Sequence, residues 1–169
     1  MTAPLSIRRF PDPVLKRITR RVTHADPGTR RLIDAMIRTM RHHPRCVGLA
    51  APQIGSALRL AVMDASRHPK APAGCGLLVL VNPVLEQLDG WRVGREGCLS
   101  VPDFTADVRR AARLRLSAQD DAGVAYTIWL EGFEAVVAQH EVDHLDGMLF
   151  LDRVADPRAD VFPRKTYQQ

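Results

Sequence analysis

Apolar positions along the chain follow a helical period at both ends and a period of two between them. After Asp26-Pro27, an N-cap acid with proline at the first helical position, Leu32, Ile33, Met36, Ile37 and Met40 recur at helical spacing. They predict an amphipathic helix over about 26–42, ended by His42-His43-Pro44. Asp12-Pro13 carries the same start signal earlier. The segment from Gly48 to Gly55 holds two glycines and a proline, which argues against a regular element. Strands are predicted at 58–63, 77–81, 92–94, 108–118 and 124–130. In the fourth, Leu114, Leu116 and Ala118 alternate with Arg113, Arg115 and Ser117, a strand with one wet face. Asp121-Ala122-Gly123 reads as a hairpin connection, and 67–76, with two prolines and two glycines, as a surface loop. A second helix is predicted from 133 to about 146, with Gly147 in the C-cap position. Phe133, Val136, Val137, His140, Glu141 and His144 share one of its faces. From 149 onward the pattern supports one short strand and no helix. These elements predict an α+β fold with neither repeats nor an interior linker, so that 1–169 forms one domain.

Composition narrows the class. Hydrophobic residues make up 46% and charged residues 25%, the values of an ordinary globular protein. The net charge of +5 is carried by arginine, since only Lys16, Lys70 and Lys165 are lysines. That charge fits polyanionic surroundings such as ribosomal RNA, and equally a general bias toward arginine. No block of like charge suggests a nucleic-acid tail or sequence-specific nucleic-acid binding. Three cysteines, Cys46, Cys75 and Cys98, are too few and odd in number for a disulfide framework, which points to a reducing compartment. The N-terminus lacks a signal-peptide pattern, and the longest apolar run, 77–81, is far too short to span a bilayer. A cytoplasmic protein without membrane partners is expected.

His140-Glu141-Val142-Asp143-His144 is a helical two-histidine metal motif. Residues four apart lie one turn apart on one helix face, so both imidazoles reach one ion. Glu141 stands beside the first ligand, within reach of a water. The pattern alone also describes two surface histidines, but here the face is shared with Phe133, Val136 and Val137 and points inward. Gln139 or Asp143 is expected to orient an imidazole from behind. A catalytic metal needs a third protein ligand and an open position. Cys98, in Glu96-Gly97-Cys98-Leu99-Ser100, is the best candidate, with Gly97 permitting close approach, although a single cysteine is more often a buried packing residue.

Three segments, Gly48-Leu-Ala-Ala-Pro-Gln53, Glu96-Gly-Cys-Leu-Ser100 and Gln139-His-Glu-Val-Asp-His144, resemble the signature motifs of peptide deformylases, in the same order. Ile7 to Leu15, Asn82-Pro83, Val101-Pro102 and Asp146 to Arg153 are similar to family positions too. The resemblance covers about 5–155, leaving a short tail at 156–169. It implies antiparallel sheets packed around a central helix that bears the two histidines, with helices toward the N-terminus. It also implies a divalent ion held by Cys98, His140 and His144, Fe(II) in the cell with Zn, Ni or Co as substitutes. Glu141 is implied as acid/base, and Gln53 with the Leu99 N–H as an oxyanion hole. Val47, Gly48 and Gly97 would line the substrate cleft, and Phe133, Val136 and Val137, with Val47, a methionine pocket. The implied reaction releases formate from N-formyl-methionyl nascent chains, in N-terminal methionine processing during protein biosynthesis.

The chain departs from the family where Cys46 replaces the first glycine of the first motif, a feature closer to the divergent, organelle-type branch. Thr105 stands where many relatives carry arginine or another longer side chain. The tail lacks the basic helix some relatives use on ribosomes, so only weak ribosome association is expected. Two other readings are a metallopeptidase with the same helical motif and a metal-binding module without catalysis. Cys98 argues against the first, because such peptidases usually complete the site with Glu or His. Glu141 and Gln53 argue against the second, since holding an ion requires neither.

Overall fold

A computed structural model describes residues 4–71 and 74–165; the ends of the predicted domain and the last residues of its tail lie outside them. The helix α1, Pro27–His42, begins as its sequence predicts, the Asp26 carboxylate accepting from the Thr29 N–H at 2.7 Å. Asp12-Pro13 starts only one turn of 3-10 helix, Pro13–Lys16.

Among the described residues eight strands follow: β1 Gly48–Ala50, β2 Leu60–Asp64, β3 Leu77–Asp89, β4 Arg92–Cys98, β5 Val101–Arg110, β6 Arg113–Gln119, β7 Ala125–Glu131 and β8 Val161–Pro163. They form a five-stranded sheet, order β1-β2-β3-β6-β7, and a three-stranded sheet, order β4-β5-β8. Every pairing between these strands is antiparallel. The helix α2, Gly132–Leu145, carries both histidines of the motif, and this α+β arrangement is the predicted class.

Several boundaries differ from the sequence reading, each for a physical reason. The segment 48–55 does hold regular structure: Gly48–Ala50 pair with β2, and Ala51–Ile54 make a 3-10 turn closed by Gly55 at φ 83°. Pairing with a neighbouring strand outweighs weak local propensity there. The strand predicted to end at 81 continues to Asp89 through two irregularities, with Asn82 and Gln87 at φ 53° and 50°. The Asn82 side chain both accepts from and donates to the Val22 main chain at 2.8 Å, which holds the first bend. The run 108–118 is two strands in different sheets. Ala106, Val108 and Arg110 are buried in β5 and Leu114, Leu116 and Ala118 in β6, so even-numbered positions face inward on both sides of the turn at Ala111-Ala112, where Ala111 is buried and Ala112 half-buried. The Asp121–Gly123 connection is a hairpin as read, with Gly123 at φ 83°.

Packing explains the continuous apolar run in β2. Leu60 and Val62 meet Ile33, Met36 and Met40 of α1 on one face. Ala61 and Met63 meet Ala135, Val137, Ala138 and Leu145 of α2 on the other. The expectation of a single inward face on α2 is corrected: from Glu134 to Leu145 only Val136 and His140 escape full burial. The tail also holds more structure than read, a short helix α3, Pro157–Asp160, leading into β8 against β5. Among the described residues no helix is long and apolar enough to cross a membrane.

Candidate metal centre and cleft

Cys98 ends β4 at the bulge where the chain turns into β5, and His140 and His144 lie one turn apart on α2. The three donor atoms all lie within 4.8 Å of one another, with Cys98 Sγ 3.3 Å from His144 Nε2. One thiolate and two imidazoles converging at this spacing suit a divalent transition ion, and three protein ligands leave a position for water. Burial alone would push the Cys98 thiol up, but His144 and His140 outweigh it and hold the thiol well below its ordinary value. Burial likewise pushes His140 down, and Cys98 and Glu96 raise it well above the usual imidazole range. The donors therefore hold one another electrostatically.

The group behind His140 is neither Gln139 nor Asp143 but Glu96, whose Oε2 lies 2.8 Å from His140 Nδ1. Glu96 is clamped by Arg110 at 2.7 and 3.1 Å, Arg110 reaches Asp143 at 2.6 Å, and Arg153 closes the chain on Asp143 at 2.7 Å. Gln139 serves the backbone instead. Its amide accepts from Ala111 N–H and donates to Ala111 O, satisfying the main chain where it crosses between sheets. A signal for Glu96 existed in the sequence, because residues two apart share one strand face and Glu96 must follow Cys98 inward. Arg110 offered no comparable signal, since its carboxylate partners come from other elements.

Glu141 is buried beside the ligands, and its Oε2 has no hydrogen-bond partner among the described residues. Burial pushes its carboxyl up to about 7, partly offset by the two imidazoles. Gly48 on β1 makes this position possible: a Cβ there would overlap Glu141 Oε1 and stand 2.7 Å from Cδ. Gln53 is fixed by the Ala50 N–H on its Oε1 at 2.9 Å. Its Nε2 is thereby turned toward Cys98 Sγ at 3.3 Å and Ser100 Oγ at 3.2 Å.

A cavity of about 550 Å³ opens over these groups. Val47, Gly48, Gln53, Gly97, Cys98, Leu99, Phe133, Val136, Val137, His140 and Glu141 line it, and His144 lies buried beneath. Every residue named from sequence is thus in one place. Cys46 also lines it, its thiol pushed up to about 12 chiefly by burial and donating to Gly48 O at 3.1 Å. Two strand edges flank the cleft, β1 at the border of the larger sheet and β4 at the border of the smaller. Lining residues the sequence reading missed are Pro44, Arg45, His68, Lys70, Arg95, Glu96, Arg164 and Lys165.

The family model for polypeptide deformylase matches residues 4–160. A peptide deformylase of Alkalilimnicola ehrlichii is 42% identical over 164 residues, covering 96% of this chain and 89% of that protein. The crystal structure of a Thermotoga maritima peptide deformylase is similar with a TM-score of 0.83 and 38% identity, covering 92% of this chain and all of the other. A Met-Ala-Ser-bound class I type b peptide deformylase from Acinetobacter baumannii gives 0.84 at 32% identity, covering 91% and 100%.

Proposed function

The chain belongs to the polypeptide deformylase family, and we propose that it hydrolyses the formyl amide of N-formyl-methionyl nascent chains, releasing formate and a free amino terminus. The observation that carries this reading is the convergence of Cys98, His140 and His144 beside a Glu141 carboxylate whose Oε2 has no partner among the described residues, at the floor of one cleft. Those three residues would hold a divalent ion, Fe(II) in the cell and replaceable by Zn, Ni or Co, which would supply a water of lowered pKa and Lewis-acid polarisation of a carbonyl.

The remaining steps belong to the chain's own side chains. Glu141 accepts a proton from the attacking water and hands it to the leaving amine, a role suited to a carboxyl raised toward neutrality by burial. Gln53 Nε2 and the Leu99 N–H donate to the formyl oxygen as charge collects there. Loss of one such donor typically costs about 2.7–4 kcal/mol of barrier. The peptide main chain lies extended between the free edges at Gly48 and Gly97, where strand-like pairing aligns it. Val47, Phe133, Val136 and Val137 receive the methionine side chain. The free thiols Cys46, Cys75 and Cys98 support a reducing cytoplasmic setting. The net charge of +5 supports weak ribosome association.

Formate release from formyl-Met-Ala-Ser, measured with new amine on metal-loaded protein, tests the reading; equimolar products are expected. Cleavage of unblocked peptides instead would make it a metallopeptidase. Metal binding with no formate release would make it a non-catalytic relative.

A further inference from the structure

Arg164 follows β8, and its N–H donates to Asp103 O at 2.8 Å, which fixes it against β5. Its guanidinium crosses to β4 and fills the space beside Gly97. A Cβ on Gly97 would overlap Arg164 Nη2 and lie 3.3 Å from Cζ. One long hydrogen bond, 3.4 Å to Cys98 O, engages Nη2, and Nε is buried with no partner among the described residues. Four described arginines are buried or half-buried: Arg59, Arg110, Arg115 and Arg164. The first three hold Asp146, Glu96 and Glu86 at 2.6, 2.7 and 2.7 Å. Arg164 forms no ion pair among the described residues, although a half-buried guanidinium is costly to leave without counter-charge.

Its surroundings have the same sign. Arg45, Lys70, Arg95 and Lys165 line the cavity with it. Among the described residues the only carboxylates lining that cavity, Glu96 and Glu141, are buried, and Glu96 is occupied by Arg110 and His140. Arg95 is paired with Asp107, whereas the exposed Arg45 and Lys165 form no ion pair among the described residues. The cleft mouth is therefore cationic, with Arg164 lying against the strand edge that is to receive the peptide.

We propose that Arg164 is a substrate-binding residue whose guanidinium pairs with a carboxylate on the peptide beyond formyl-methionine. The chain accordingly favours nascent sequences with acidic side chains in the two residues after methionine. This rests on the deformylase reading and adds a substrate class to it. A planar fork with unspent donors is suited to carboxylate, and the rim lysine adds attraction without geometry.

The test uses metal-loaded enzyme and three amidated peptides, formyl-Met-Glu-Glu, formyl-Met-Gln-Gln and formyl-Met-Lys-Lys, so that only side-chain charge varies. Wild type is expected to prefer Glu over Gln by about tenfold in kcat/KM, chiefly through KM, with Lys last. The preference should shrink in high salt as the charges are screened. Arg164→Met should collapse the Glu/Gln ratio; a merely structural arginine would lower all three substrates together and leave the ratio intact. Lys165→Glu, at an exposed position, should also lower the ratio, and it decides the matter if Arg164→Met fails to fold. A wild-type ratio near one, or a ratio that survives the substitutions, overturns the assignment. No formate from any peptide would instead defeat the deformylase reading itself.

Discussion

Gly48→Ala tests how tightly the Glu141 carboxylate is placed. The added Cβ would overlap Oε1 and stand 2.7 Å from Cδ, whereas carbon atoms in ordinary contact sit about 3.5–4.0 Å apart. The carboxylate must therefore retreat by about 1 Å, a distance set by that ordinary contact. The helix cannot yield, because α2 is enclosed along nearly its whole length, so the side chain must rotate out of position. Misplacement of that size costs about 100-fold in rate, or about 2.7 kcal/mol at 1.36 kcal/mol per factor of ten. Metal content and melting temperature should stay near wild type, because no ligand is touched. The assay is formate release from formyl-Met-Ala-Ser, with metal quantified on the same samples, for Gly48→Ala, Glu141→Ala and the double variant. A methyl group acting only through the carboxylate adds little once the carboxylate is gone. Near-wild-type turnover in Gly48→Ala, or a fully additive loss in the double variant, would refute the reasoning.

Three further outcomes are expected. Glu141→Gln should retain the ion yet lose about 10²–10⁴ in kcat, since no group remains to move the proton; metal analysis beside formate kinetics checks both halves. Cys98→Ala should lose the metal and, with it, part of the folding free energy, so full occupancy and an unchanged melting curve would remove Cys98 from the ligand set. Glu96→Gln should weaken metal affinity about 10–100-fold by loosening His140 and destabilise the fold by leaving Arg110 half-paired, measured by metal titration and urea unfolding.

The metal ligands were legible because their information is local: two histidines one turn apart, and a cysteine after a glycine on a strand. Glu141 was legible from the same motif, standing beside the first histidine, whereas Gln53 became legible only through resemblance, as nothing in the spacing reports that the two meet. Glu96 was half-legible, sharing a strand face with Cys98, but its partners Arg110 and Asp143 depend on how two sheets close around α2. The border between β5 and β6 was hidden because even-numbered positions are buried on both sides of it and the turn itself is two alanines, with neither glycine nor proline to mark it. Arg164 lay beyond the region of resemblance. Its place at Gly97 depends on β8 pairing with β5, a long-range contact that a three-residue strand cannot announce.

The enclosure of α2 has a kinetic counterpart. Amide hydrogens in its central turns, around His140, are hydrogen-bonded within a helix packed against both sheets, so they should exchange only with global unfolding. Cys98 sits differently, at the end of a border strand whose outer edge is unpaired among the described residues, next to a turn. Hydrogen exchange should therefore find the third ligand in a segment that opens by itself, while the two histidines remain locked. Release of the ion to a chelator would then follow the opening rate of the β4–β5 turn and leave the fold standing. A chelator that strips metal no faster than the protein unfolds would contradict this division between a rigid pair of ligands and a single movable one.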